Sequence, residues 1–305
     1  MTPSRKKGAY RPRTIKRCRR TKAEIAAVDD AVVEVLRQDR PQSLRHVFYR
    51  LTSSPYSLVD KTQQGYRAVQ NRLLKLRETG RVPWEWISDG TRWRRQRQSF
   101  GSRAEALEYL AENYRRDLWR RTPAYVEVWC ESESIAGVIF NECDRYGVSV
   151  MVSRGFASKT YLHQAAKEIE AEDRPAFLYY VGDWDAAGKI IPEKIEAELR
   201  RFAPDADITF TRLAVTPEQI RNWNLPTKPP KRTTHAKDFK GGTVEAEAIP
   251  AATMRQLVRE AIEQHLNAHE VKVIEIAEES ERDGLFALAN RIEDIDWANM
   301  IGGTA

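Results

Sequence analysis

The chain has 305 residues, of which 41% are hydrophobic and 31% charged, with a formal net charge of +6. This length suffices for two ordinary domains, and the composition is too apolar for a wholly disordered protein. No run approaches the roughly 18 apolar residues of a membrane helix, no secretion signal begins the chain, and the three cysteines follow no disulfide or zinc spacing. We therefore expect a cytoplasmic protein with reduced thiols and no membrane partner.

The N-terminus is a block of positive charge. Its first twenty residues contain nine lysines and arginines and no acid. Such a block repels itself and stays extended until it meets a polyanion, which predicts a flexible arm over residues 1–21. A solubilising tail and a localisation address are the alternatives. Further basic clusters downstream favour nucleic acid as the partner.

Three amphipathic helices are predicted next, over 23–37, from Pro41 and Ser43 to Pro55, and over 62–78. A tight turn at Asp89-Gly90 then indicates a hairpin. Three helices followed by a hairpin are typical of a winged-helix domain, a relative of helix-turn-helix DNA readers, which we place at residues 22–100. A charged helix face is also commonly just solvated. If this one reads DNA, the candidate contacts on the third helix and the wing are Arg67, Arg72, Lys75, Arg92, Arg94 and Arg95.

The second half of the chain has a different pattern. A connecting helix from 102 to about 120, within a linking segment 101–122, leads to a region at 123–305 where short apolar strands alternate with helices. This alternation predicts an α/β fold with a parallel sheet covered by helices on both faces. The predicted strands are 125–130, 148–152, 176–181 and 208–213, and the predicted helices are 135–146, 159–171 and 186–202.

The remainder is less regular. Residues 227–240 are rich in Pro, Lys and Arg and predict an exposed loop that either touches DNA or is merely solvated. A short strand containing Glu245 and Glu247 and two helices are expected to complete the chain.

Three acids fall where the predicted sheet has its active edge. Glu131 follows the first strand, and Asp183 and Asp185 follow the third, ahead of Gly188. The carboxyl ends of parallel strands meet at one edge, and carboxylates brought together there repel one another unless a cation such as Mg²⁺ or Mn²⁺ joins them. The alternative is that the aspartates cap the following helix, which explains one acid but not the second, the glycine and Glu131.

This acidic pattern resembles the Toprim domain of topoisomerases, primases and related nucleases. Within that group, Arg154-Gly155 after the second strand looks like the basic turn of the topoisomerase VI A subunit and its meiotic double-strand-break relatives, which place a winged helix before Toprim. The resemblance covers roughly residues 40–215 and implies a divalent metal held by Glu131, Asp183 and Asp185, with Arg154 near DNA. Ser132 stands where the family often has lysine.

One further motif carries the resemblance. Arg45 precedes Phe48-Tyr49 by the spacing that in the family carries the DNA-cleaving tyrosine, which maps to Tyr49. Arg45 and Tyr49 are four residues apart on a helix and therefore share a face. A phenol with a reference pKa near 10 is a weak nucleophile, so a nearby cation such as Arg45 is what its chemistry would need. The alternative is that Phe48 and Tyr49 are core aromatics.

The resemblance implies a type IIB topoisomerase A-like subunit that cuts double-stranded DNA and leaves a 5′-phosphotyrosyl link. In the family the tyrosine of one protomer works with the Toprim acids of the other, which implies a homodimer associated with the nucleoid. No Gly-rich lid or P-loop appears, so ATP-driven strand passage would require a separate ATPase subunit of the B type. Two rivals stay open: a Toprim nuclease that uses water, and a non-catalytic DNA-binding protein.

Overall fold

The computed structural model describes residues 20–87, 98–229, 239 and 241–293. It is an α/β protein with one four-stranded parallel sheet and about ten helices within these residues. The predicted wing at Asp89-Gly90, with Arg92, Arg94 and Arg95, lies outside the described residues. So do residues 1–19 of the predicted arm and most of the predicted loop after residue 229.

Three helices open the described chain: α1 (Lys22–Gln38), α2 (Leu44–Thr52) and α3 (Gln63–Glu78). Each begins at a hydroxyl side chain that accepts a hydrogen bond from the backbone of the first turn, and these caps are Thr21, Ser43 and Thr62. Their apolar faces pack into one core together with Val59 and Val82. The three predicted helices and the Ser43 cap are confirmed.

The sheet contains β1 (Tyr125–Cys130), β2 (Ser149–Val152), β3 (Ala176–Val181) and β4 (Ile208–Ala214) in the order β2-β1-β3-β4, all parallel. The predicted parallel sheet is therefore confirmed.

Between and beyond the strands lie α5 (Glu133–Arg145), α6 (Lys159–Ala171), α7 (Ala186–Phe202), α8 (Pro217–Asn222), α9 (Ala251–Glu263) and α10 (Ala268–Glu293). Alternate residues of β1 enter different cores. Val126, Val128 and Cys130 join a core with α5 and α9, whereas Trp129 joins a core with α6 and α7. Because both faces are covered, the strands are mostly apolar, which is the pattern that the sequence displays.

Two predicted elements are wrong. The connecting helix α4 (Arg103–Asn113) ends before residue 114 and does not reach residue 120. Beyond it the chain is held by carboxylates of α10: the Arg116 amide donates to Glu278 at 2.9 Å and the Tyr114 hydroxyl to Glu281 at 2.7 Å.

The strand expected at Glu245 and Glu247 is instead a single antiparallel bridge between Val244 and Trp184, followed by a 3₁₀ turn over Ala246–Ala248. The short helix α8 was not predicted.

The N-terminal helices are joined to the sheet region by a buried ion pair. Asp39, after α1, pairs with Arg255 of α9 and also accepts a hydrogen bond from the Ala252 amide at 2.8 Å. Arg255 donates in addition to the Pro41 carbonyl at 3.1 Å. This pair fixes where α2 stands relative to the sheet. Among the described residues no helix has the length and apolar character needed to cross a bilayer.

Candidate active site

The carboxyl ends of β1 and β3 bring together the three acids predicted from the sequence, Glu131, Asp183 and Asp185, which we call the acid edge. Glu131 Oε2 accepts a hydrogen bond from the Asp183 amide at 3.1 Å. Asp185 caps α7 by accepting from the Gly188 amide at 2.7 Å. The helix-cap alternative therefore accounts for Asp185 alone.

Gly188 has a steric reason to be glycine. A Cβ built there would lie 2.1 Å from the Asp183 carbonyl oxygen, far inside contact distance. The first turn of α7 can thus press against the loop that carries Asp183. The glycine in this motif serves the close packing of the loop on the helix.

Arg212 of β4 holds the same loop from the other side. Its guanidinium donates to the carbonyl oxygens of Val215 at 2.7 Å, Gly188 at 3.0 Å and Gly182 at 3.3 Å. Burial lowers the pKa of Arg212, although the carboxylates of the acid edge oppose this. Arg212 was not predicted because nothing in the local pattern of β4 marks it.

A segment far along the chain adds more acid to this place. Val244 pairs with Trp184 through two backbone hydrogen bonds of 2.7 and 2.9 Å, and the Ala246 amide donates to Asp183 Oδ1 at 2.9 Å. The next residue, Glu247, is only 2% exposed. The wrongly predicted strand therefore delivers Glu245 and Glu247 to the side of Asp183.

These carboxyls are crowded and poorly solvated. Burial, followed by the charges of Glu131 and Glu247, raises the pKa of Asp183 to about 8. Burial also raises the pKa of Glu131 and of Glu247. Glu247 Oε1 has no hydrogen-bond partner among the described residues. Buried acids that repel one another are stabilised either by a proton or by a cation.

On the neighbouring helix α2, Arg45 and Tyr49 face the same segment. Arg45 lies between two of its carboxylates, with nitrogen to oxygen distances of 3.7 Å to Glu245 and 3.8 Å to Glu247. Tyr49 is 2% exposed, and its hydroxyl accepts a hydrogen bond from Lys228 Nζ at 2.8 Å. The two separately predicted motifs, the arginine-tyrosine pair and the acid edge, thus meet through residues 245–247.

Beside Tyr49 lies a cavity of about 350 Å³, which we call the cationic cleft. Three of its lining side chains are basic, and Lys61 Nζ stands 4.9 Å from the centre of the Tyr49 ring. Burial and the neighbouring Lys228 lower the pKa of Lys61 to about 8. Converging cations suit an anion such as a phosphate. The lining residues are Arg45, Phe48, Lys61, Thr62, Gln63, Tyr66, Lys228 and Glu245.

The predicted DNA contacts are arranged unevenly. Arg67 and Lys75 are exposed on α3, whereas Arg72 is held by both carboxylate oxygens of the buried Asp29. Arg154 has a φ of 51° and Gly155 a φ of 80°, so the chain changes direction after β2. The Arg154 guanidinium is exposed and donates to Glu133 at 2.9 Å.

The acid edge has the donor chemistry for a hard divalent ion, because carboxylate oxygens are the ligands that Mg²⁺ and Mn²⁺ prefer. As the side chains stand, no group of three or more His, Cys, Asp or Glu within the described ranges is placed to hold a metal ion. Coordination would thus require side-chain rotations at Glu131, Asp183 or Asp185. A cation bound there would relieve part of the repulsion that helps to raise the pKa of Asp183.

Sequence reasoning missed Lys61, Lys228 and Arg212, and it noted Glu245 and Glu247 without a role. Lys228 falls in the predicted basic loop 227–240, and Lys61 lies in the polar segment between Pro55 and the third predicted helix; neither was given a role. Each reaches the site through contacts between distant parts of the chain. No protein-family model matches the sequence, and a search of curated proteins finds no significant match.

Proposed function

We propose that this protein cleaves double-stranded DNA by transesterification, with Tyr49 as nucleophile, in the manner of the topoisomerase VI A subunit that its motifs resemble. The observation that carries the proposal is Arg45, which shares a helix face with Tyr49 and stands between Glu245 and Glu247 beside Asp183. A nucleophile, a set of phosphate-binding cations and an acid edge would then belong to one site within a single protomer, unlike the arrangement across two protomers that the family resemblance implies.

The chain's own residues suggest a division of roles. Arg45, Lys61 and Lys228 would hold the scissile phosphate in the cationic cleft and balance the charge that develops on it. The Tyr49 oxygen would bond to phosphorus as the bond to the 3′ oxygen breaks, leaving a 5′-phosphotyrosyl link. Glu131, Asp183 and Asp185 would hold Mg²⁺ or Mn²⁺, which when bound supplies positive charge to the DNA phosphates.

The DNA itself would be held by a wider basic surface. Arg67 and Lys75 on α3 are exposed and free to approach a duplex, consistent with a winged-helix use of these first helices. Arg154 follows β2, which pairs with the end of β1 that leads to Glu131. Arg72 would contribute less, because Asp29 already holds its guanidinium. Homodimerisation would place two such sites on one duplex, and an ATPase subunit would be needed for strand passage.

One observation favours a second candidate, a hydrolytic Toprim-like nuclease. Tyr49 is almost fully buried, so DNA could reach the acid edge more easily than the phenol. Water would then be the nucleophile, and Tyr49 a core aromatic packed against Phe48, whose ring centre lies 5.5 Å away.

Cleavage of supercoiled plasmid distinguishes these functions. The protein is incubated with plasmid and Mg²⁺ or Mn²⁺, stopped with detergent, and analysed with and without protease. Tyr49→Phe and Asp183→Asn are compared with the wild type. Matched controls are Tyr109→Phe, at an exposed tyrosine of α4, and Asp205→Asn, at an exposed aspartate before β4.

We expect linear DNA that carries protein until protease is added, and its loss in Tyr49→Phe and Asp183→Asn but in neither control. Protein-free cuts that persist in Tyr49→Phe would identify the hydrolytic nuclease instead. Salt-sensitive binding without any cutting would leave a DNA-binding protein.

A further inference from the structure

Both the backbone and the side chain of Lys228 are held by hydrogen bonds. Its backbone amide and carbonyl both pair with Thr243, each at 2.8 Å, so the start of the side chain is fixed against the segment that carries Glu245. Only about a third of the side chain is exposed (34%). A lysine held at both ends is a built feature of the site, unlike a solvated surface lysine.

The ammonium group is shared between two partners. Lys228 Nζ lies 2.8 Å from the Tyr49 hydroxyl oxygen and 2.7 Å from Glu245 Oε1. An ammonium that donates to a phenol oxygen favours the phenolate, while a carboxylate paired with the same ammonium cancels part of its charge. The two partners therefore act on the phenol in opposite directions.

The other charged groups around Tyr49 do not take over the contact that Lys228 makes with its hydroxyl. Burial and the neighbouring carboxylates hold the pKa of Tyr49 well above its usual value, against the opposing charge of Arg45. Lys61 faces the ring rather than the hydroxyl. The charged or titratable groups that face Tyr49 are Arg45, Lys61, Lys228, Glu245 and Glu247.

We propose that Lys228 is a catalytic residue that stabilises the Tyr49 phenolate, and that Glu245 restrains it by holding part of its charge. The inference rests on the proposed function. In the reaction, the Tyr49 phenol loses its proton to water and its oxygen forms the bond to phosphorus. The bond from phosphorus to the 3′ oxygen breaks, and that oxygen takes a proton from water.

The test follows the phenol directly and needs no DNA. A fluorinated tyrosine, whose phenol is more acidic than that of tyrosine, is incorporated at position 49, and its ¹⁹F shift is titrated against pH. Lys228→Met removes the charge but keeps the chain length, Lys228→Arg keeps the charge, and Glu245→Gln removes the restraint. Lys272→Met, at an exposed lysine of α10, is the matched control.

We expect opposite shifts. The apparent pKa of the fluorotyrosine rises by about 1 unit or more in Lys228→Met and falls by about 1 unit in Glu245→Gln, as expected for charges at hydrogen-bonding distance. Lys228→Arg and Lys272→Met stay near the parent protein. If Lys228 and Glu245 were only structural, either substitution would open the pocket to water and lower the pKa of the fluorotyrosine. A lower pKa in both variants, or no shift in either, overturns the inference.

A second readout ties the pair to catalysis. The rate of covalent adduct formation falls about tenfold in Lys228→Met, matching one unit of phenol pKa, and Lys228→Arg restores most of it. An unchanged rate in Lys228→Met, in a protein that does form adducts, removes Lys228 from catalysis. If the wild type forms no adduct, the proposed function fails, while the fluorine titration still decides whether Lys228 and Glu245 control the phenol.

Discussion

The cationic cleft and the acid edge lie side by side but balance their charges differently. In the cleft, Lys228 and Arg45 face the carboxylate of Glu245, so opposite charges meet within 4 Å. At the acid edge, the nearby Arg212 donates its hydrogen bonds to backbone carbonyls, and Asp183 lies among like charges. With Lys61 as a third cation, the cleft thus keeps an excess of positive charge, whereas the edge carries an excess of negative charge. Such an edge gains stability from protons or cations, whereas the cleft gains stability from an anion.

The largest expected effect comes from separating the two regions. Arg255→Met leaves the buried Asp39 without its ionic partner between α1 and α9. Removing one partner of a buried pair typically costs about 3 kcal/mol or more, and we expect that loss in the free energy of unfolding by denaturant titration.

Arg81→Met is the control for this loss. Its pair with Asp30 is exposed on both sides, so the variant should stay within about 0.5 kcal/mol of the wild type. If Arg255→Met proves equally mild, the two regions are held together by something other than this pair.

The next effect concerns pH at the acid edge. The folded protein retains the Asp183 proton up to about pH 8, whereas an unfolded chain releases it near pH 4. Folded stability from this group is therefore present at low pH and is lost as the pH rises through that window. In the presence of a metal chelator, we expect the free energy of unfolding to fall by about 2 kcal/mol between pH 5 and 8. This is less than the full pKa shift implies, because neighbouring acids titrate together.

Asp183→Asn should flatten this fall, and Mg²⁺ should reverse it in the wild type but not in the variant. The measurement is the unfolding midpoint across pH, with and without the ion. A wild type whose stability ignores both pH and Mg²⁺ would mean that the edge carries no excess charge.

The smallest effect has the opposite sign and belongs to the cleft side. Burial, then the charges of Arg255 and Arg45, lowers the pKa of His46 on α2 to about 3, against an ordinary value near 6.5. Stability from the neutral imidazole is present above pH 6.5 and is lost as the pH falls toward 3. We expect about 1 kcal/mol of loss between pH 6.5 and 5, and a smaller loss in His46→Gln.

The unfolding midpoints below pH 6.5 check this prediction, with His163→Gln at an exposed histidine of α6 as control. A steeper acid loss in His46→Gln than in the wild type would contradict it. If stability falls with acid through His46 and with base through Asp183, the two regions differ in the sign of their pH dependence.

Local pattern was enough to predict most of the fold. The strands 125–130 and 176–181 and the helices 159–171 and 186–202 match the structure at both ends, because buried strands and capped helices carry their signals in adjacent residues. The connecting helix was predicted too long. Residues 114–120 suit a helix locally, but contacts to Glu278 and Glu281, far along the chain, hold them otherwise.

The candidate site was predictable only where a motif is local. Glu131, Asp183 and Asp185 were predicted from their place at one sheet edge, and Arg45 and Tyr49 from the resemblance of one helical motif to a known family. Lys228 and Glu245 could not be, because the contact between Lys228 and Tyr49 spans 179 residues. Two isolated bridges, Val244 with Trp184 and Lys228 with Thr243, bring these residues into place, and no periodic sequence pattern predicts such bridges.

The guanidinium of Arg212 has a consequence for the rigidity of the loop that presents Asp183. By tying the carbonyls of Gly182, Gly188 and Val215 together, it acts as an internal strut that belongs to the polypeptide itself. The backbone of the loop that presents Asp183 is therefore held in place by the protein alone, and side chains at the acid edge can rotate without the chain refolding.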